Sequence, residues 1–388
     1  MKKKNLFFAF AALIAVSSCT SEINEEGFVD KANSISFNAY SNKSRALTTD
    51  ITSDNMKDDQ SGFGVVGYTH NDNKIYLYKG SNAAVQQKYV TSSNSWEYAD
   101  KGDLKFWPKV NMDFYAYFPY TETVTFTSAN NTGDVMTISA VDCSHDVLFA
   151  FVGDQEKTTR VPLTFHHAFA KMKELKISMP AEGTLYKSGC QITVQKVEFI
   201  NTSTSGDIKV NNTGVASYNV ASTNKILSRD LTSAEVTVNN SSADGTLINN
   251  GESANGYFFA TNKDAVKNVK GTAKTMWNGT KEALESGKLS EKEFVCLKLT
   301  CKVWNGTSHY YVGSATDDDY GVIYIPLTGN SSDPNTVATF DAGKRYTYTI
   351  KMKDNVGYTD EGDPILTPIL FTVSSVDSWD EVSVTITL

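Results

Sequence analysis

Leu104-Lys105-Phe106-Trp107-Pro108-Lys109-Val110-Asn111-Met112-Asp113-Phe114-Tyr115-Ala116-Tyr117-Phe118-Pro119-Tyr120 reads as an approach and a strand. Side chains alternate along extended backbone, so Phe114, Ala116 and Phe118 point one way, and Tyr115 and Tyr117 point the other. Neither set suits water, so both faces of this strand must be covered. Pro119 then removes a backbone donor and ends the ladder.

Short alternating runs extend outward from this strand in both directions. Upstream lie Gly64-Val65-Val66-Gly67-Tyr68 and Lys74-Ile75-Tyr76-Leu77-Tyr78, and further back Ile35, Phe37 and Ala39 alternate with Ser34, Ser36 and Asn38. Downstream, Val161, Leu163, Phe165 and His167 alternate, and after a break at 168–171 the pattern resumes at Leu175, Ile177 and Met179. Ile192-Thr193-Val194 and Val197-Glu198-Phe199 sit at an interval of three, which predicts a bulge. Strand patterning returns at 295–304, at 322–327, at Tyr346, Tyr348, Ile350 and Met352, at 369–376, and at Val382, Val384, Ile386 and Leu388. Residues 201–255 are rich in Ser, Thr, Asn and Gly and give only weak strand signals, and the one helical stretch falls near 280–286. Many short strands between turn signals predict an all-β chain with little helix, arranged as two tandem β-sandwich domains. The turn Pro180-Ala181-Glu182-Gly183 and the loose stretch after it place the division between 46–185 and 186–388.

The N-terminus carries an address. Lys2, Lys3 and Lys4 precede the apolar run 6–16, which is too short to cross about 30 Å of hydrocarbon and reads as a secretory signal over 1–18. Ser17 and Ser18 suit a signal peptidase, and a Cys placed directly after them, Cys19, resembles a lipobox cysteine that is acylated and becomes the first mature residue. Attachment to the outer membrane would then come from that lipid. Residues 42–46, Asn-Lys-Ser-Arg-Ala, form a polar, basic stretch of the kind proteases reach.

The chain of 388 residues carries a net charge of −8, which argues against nucleic acid as a partner. Of its five cysteines, four remain if Cys19 is acylated. Val295, Leu297, Leu299, Cys301 and Val303 share one strand face and Cys296 the other, so Cys296 and Cys301 should not pair, and isolated thiols are expected.

No catalytic or metal motif emerges, and no cofactor is implied. Adjacent His166 and His167 point to opposite faces of a strand, so one should be buried and one exposed. Cys143-Ser144-His145 lacks a second pair at zinc spacing, and Asp317, Asp318 and Asp319 lack the calcium-loop pattern. Residues 251–256 miss the nucleophile-elbow spacing by one position.

Four blocks together resemble the fimbrillin (Mfa-like) family of type V pilus subunits. They are the lipobox at Cys19; Phe106-Trp107-Pro108 leading into Asp113 to Pro119; Val147-Leu148-Phe149-Ala150 followed by Leu163 to Lys171; and the ending with Trp379. The resemblance implies two transthyretin-like β-sandwiches, delivery to the outer membrane as a lipoprotein, cleavage after an arginine, and assembly with other fimbrial subunits by strand exchange. Arg45 is the only arginine between Cys19 and Ala46, which makes Ala46 the new terminus and Ile35, Phe37 and Ala39 the displaced strand. Val382, Val384, Ile386 and Leu388 alternate to the end of the sequence and fit the donor role. Two alternatives stay open: a surface lipoprotein that binds host or bacterial glycans without polymerising, with Trp304 as the stacking residue on a polar strand face, and an anchor subunit that keeps its lipid. Trp107 reads as core.

Overall fold

The computed structural model describes residues 34–41, 51–129, 133–179, 189–200, 205–220, 228–230, 234–239, 245–249, 256–259, 296–304, 306, 308, 310–326, 340–351, 370–376 and 380–387. Among them the chain is almost entirely strand, arranged in four sheets. The one α-helix described, Ser53–Asp58, is capped by the Thr52 side chain and sinks Met56 into the core.

Met112–Phe118 is buried at every position, as its two apolar faces demand. It lies inside an eight-stranded sheet ordered Phe37–Ser41, Val161–His167, Leu148–Gln155, Met112–Phe118, Phe63–Thr69, Val85–Val90, Ser95–Tyr98, with Ile75–Leu77 beside Phe63–Thr69. Phe114, Ala116 and Phe118 join one apolar cluster with Phe63, Val65, Leu148, Leu163 and Phe165. Tyr115 and Tyr117 enter a second cluster with Met136, Ile138, Ile208 and Val210, which come from a four-stranded sheet. That sheet runs Ala216–Val220, Gly206–Asn211, Asp134–Val141, Thr123–Phe126. The ends of the eight-stranded sheet approach each other: Tyr98 Oη donates to the Ile35 carbonyl at 2.9 Å, so the sheet curls around the first cluster.

Two six-stranded sheets make up the rest. One is ordered Thr246–Leu247, Phe169–Ser178, Lys344–Lys351, Asp380–Thr387, Leu370–Val376, with Tyr257–Phe259 also on Phe169–Ser178. The other centres on Gln191–Ile200 and Cys296–Trp304. They meet through rings: Phe199 lies 4.9 Å from Phe258 and 5.8 Å from Phe340, which packs on Tyr346.

Gln191–Ile200 shifts register between Val194 and Lys196, where the interval of three predicted a bulge. Leu297, Leu299, Cys301 and Val303 are all buried on one face. The break expected over 168–171 shrinks to Ala168 alone, because Val161–His167 and Phe169–Ser178 follow one another directly and join different sheets. Burial runs unbroken from His167 to Met172 as the chain passes between layers, which hides the period of two. Strands from either side of residue 186 also share sheets: Phe169–Ser178 pairs with Lys344–Lys351, and Gly206–Asn211 pairs with Asp134–Val141. The turn at 180–183 and the helical stretch at 280–286 lie outside the described residues.

Candidate functional site

The first strand is an edge strand with a core face. Phe37–Ser41 runs parallel to Val161–His167, with Phe37 opposite Val161, Ala39 opposite Leu163 and Ser41 opposite Phe165. Its alternation is the reason it fits: Ile35 and Phe37 are fully buried and Ala39 nearly so, while Tyr40 is half exposed. The Phe37 ring stands edge-on to Phe114 at 5.4 Å and to Phe63 at 6.2 Å. Full burial of a side chain such as Ile or Phe contributes about 1.5–3 kcal/mol, so these two supply roughly 3–6 kcal/mol gross. Among the described residues the ladder on this strand is one-sided. Beyond it, Ile35 N donates to the Lys105 carbonyl at 2.9 Å, and Ser34 bridges Phe106.

The walls of this groove come from residues that carried no periodic signal. Tyr98 holds the Ile35 carbonyl, and burial pushes its phenol far above its ordinary pKa, so it remains a donor. Ser36 Oγ donates to the Thr159 carbonyl at 2.6 Å, and Arg160 reaches the Asn38 side chain at 3.3 Å. Gln87 stands opposite Phe63 and Tyr98, fully buried, with neither amide atom bonded to protein. At the far end of the groove, His167 Nδ1 and Asp146 Oδ2 lie 2.6 Å apart in the core, and the same carboxylate oxygen accepts from Ile51 N at 3.4 Å. Ile51 is therefore fixed independently of the first strand. Cys19, Arg45 and Ala46 lie outside the described residues.

The terminal strand sits differently. Asp380–Thr387 runs parallel to Lys344–Lys351 and antiparallel to Leu370–Val376, so it is flanked on both sides within its own chain. Val382, Val384 and Ile386 stand in register with Tyr346, Tyr348 and Ile350, and these last three are fully buried. Leu388 lies outside the described residues. The two strand sets singled out in the sequence thus occupy separate sheets.

The remaining candidates resolve individually. His167 is buried and His166 exposed, as opposite faces require. Cys143 is buried, while His145 turns outward between Ser144 Oγ at 3.0 Å and Glu122 Oε1 at 2.6 Å, so thiol and imidazole do not converge. Cys143, Cys190 and Cys301 are buried thiols, and burial raises the Cys190 thiol to about 12. Beside the aspartates 317–319, Lys302 Nζ occupies the loop by binding the Thr316 and Asp317 carbonyls. Among the described residues no cluster of three or more His, Cys, Asp or Glu could hold a metal ion. Trp107 packs on Phe114 at 5.9 Å, and Trp304, partly buried, tilts against Tyr310 at 4.9 Å.

The model of a family described as Fimbrillin-like matches residues 44–363. Among solved structures, a fimbrial protein from Bacteroides vulgatus is 17% identical, with 82% of this chain and 95% of that chain covered and a TM-score of 0.48. A fimbrilin from Porphyromonas gingivalis is 11% identical, with 91% and 96% covered and a TM-score of 0.39. No curated protein sequence matches.

Proposed function

Because the chain belongs to the Fimbrillin-like family, we propose that it is a structural or adhesive subunit of a cell-surface fimbria. In this reading it is exported as a lipoprotein on Cys19, cut after Arg45, and joined to neighbouring subunits by strand exchange, with no catalytic step of its own. The observation that carries the reading is the first strand: its inward face fills the core, yet among the described residues one ladder holds it. Its loss would leave an apolar groove and the open edge of Val161–His167, and both would be satisfied by an alternating strand from another subunit.

N-terminal sequencing of the surface form tests this directly. Ala46 as the first residue is the expected result, and Arg45→Ala should trap the longer form at the outer membrane. A surface form that keeps acylated Cys19 would instead identify an anchor subunit. A second reading, glycan binding without polymerisation, draws on the ring pair of Trp304 and Tyr310. It requires glycan-array binding that Trp304→Ala abolishes, and a blank array removes it.

A further inference from the structure

The carboxylate of Asp146 is buried without a full set of partners. It is 2% exposed, and among the described residues its ion-pair contact is His167, with no Lys or Arg beside it. Oδ2 lies 2.6 Å from His167 Nδ1 and accepts from Ile51 N at a long 3.4 Å. Oδ1 is buried and has no hydrogen-bond partner among the described residues. Asp113, the other buried carboxylate described, is better served: one oxygen lies 2.7 Å from His70 Nδ1 and accepts from Asp154 N at 2.8 Å. An open buried acceptor costs more than an ordinary hydrogen bond returns, so a charged donor would be favoured at Oδ1.

The surroundings hold this acceptor ready. Ala168 N donates to the Val147 carbonyl at 2.8 Å, which fixes the residue after Asp146 to the residue after His167. The imidazole next in sequence, His145, is engaged with Glu122 Oε1 at 2.6 Å. Because the fold already keeps the carboxylate out of water, an arriving cation would lose only its own hydration. That favours a compact ammonium, which brings three donors.

Topology places such a group within reach once the chain is cut. Ser41 stands opposite Phe165, two residues before His167, and Ile51 is bonded to Asp146. The two residues that flank the stretch 42–50 therefore meet the same end of Val161–His167. Ala46 lies five positions before Ile51, a span of at most about 16–18 Å. In the uncut chain its nitrogen is a neutral amide. Cleavage after Arg45 makes it an α-ammonium on a short tether beside the carboxylate, while Lys43 and Arg45 leave with the other fragment.

We propose that Asp146 is the binding site for a primary ammonium, and that its ligand is the α-amino group created on Ala46. The inference rests on the cleavage reading above and adds to it the group that registers the cut. Processing is thereby recorded as an ion pair at the far end of the groove, where the mature terminus is fastened beside His167.

The test makes the cut in vitro, so it does not depend on which protease acts at the cell surface. Asn42→Ile, Lys43→Glu and Ser44→Gly in the full-length chain place Ile-Glu-Gly-Arg before Ala46, and the protease specific for that tetrapeptide leaves Ala46 as the terminus. The readout is the rate at which this α-amine is acetylated by limiting acetic anhydride at pH 7. Mass spectrometry of the terminal peptide follows it, with a free peptide of residues 46–60 as the reference. Acetylation needs the neutral amine, and pairing that raises an amine's pKa by one unit slows it about tenfold. The cut chain should therefore react at least about tenfold more slowly than the peptide. Asp146→Asn should return the rate to that of the peptide, and Asp146→Glu should keep part of the protection; the melting temperature of each uncut variant checks that its fold is kept. Peptide-like reactivity in the cut chain with Asp146 intact overturns the proposal, whether or not the variants fold. Protection that persists in a folded Asp146→Asn chain assigns the amine to another acceptor and overturns it too. A different terminus on the natural surface form would refute the cleavage reading and leave the measured chemistry of Asp146 unchanged.

Discussion

Phe37–Ser41 and Asp380–Thr387 share an alternating pattern and a parallel neighbour, but among the described residues one has a single flanking strand and the other has two. Side-chain burial can be as complete at an edge as in a sheet interior, since Ile35 and Phe37 are fully buried. The backbone is where they differ. Removing the first strand breaks one ladder, whereas removing the last breaks two, so the pair separates how well a strand is packed from how firmly it is held.

The largest expected effect on this contrast comes from Phe37→Ala. Emptying a ring-sized site in the first cluster should cost about 3–5 kcal/mol. Amide hydrogen exchange should speed up across Phe37–Ser41 and leave Asp380–Thr387 unchanged; parallel loosening of both strands would break the comparison. Next comes Asp146→Asn, which replaces the carboxyl group 2.6 Å from His167 Nδ1 with an amide and weakens the tie to Ile51, at a cost on the order of 1–3 kcal/mol. Thermal unfolding should register it, with protection of the terminal strand retained. Tyr98→Phe deletes one bond to the Ile35 carbonyl and should cost about 1 kcal/mol, read as faster exchange at the first strand alone.

The smallest effect is a pH dependence confined to the half of the molecule that holds the first strand. His70 is raised chiefly by its hydrogen bond to Asp113, and His145 chiefly by that to Glu122. Each folded pKa lies above the ordinary value near 6.5, so the contribution is fully present below that value and is lost as pH rises through the raised one. Both imidazoles are more than 40% exposed, so solvent screens most of it. A melting temperature that falls slightly from pH 6 to pH 8 is expected, and a rise would contradict these ion pairs.

Much of this was legible where one face of a strand meets one core. Val161, Leu163, Phe165 and His167 alternate in burial as they alternate in sequence, and Met112–Phe118 carries two cores on its two faces. The partner of the first strand was not legible, because pairing across more than a hundred residues leaves no local trace. Nor was the passage at Ala168, where contacts on both sides erase the period. Arg160, Tyr98 and Lys105 act at the groove through one hydrogen bond each, which no pattern of residue types announces. Division of the sequence by its loosest stretch also overlooked that Gly206–Asn211 returns to the strand Asp134–Val141.

The tie between Asp146 and Ile51 has a consequence in the arithmetic of rebinding. With the chain intact, a first strand that peels away is still joined to a fixed point only ten residues beyond Ser41. On the strand-exchange reading proposed above, a tether of that length would keep its local concentration in the millimolar range, so it would return before a competitor finds the groove. Once severed, the same strand is a free peptide that dilutes into the surroundings, and no contact inside the groove has changed. A single peptide bond would then decide between self-occupancy and capture of a neighbour.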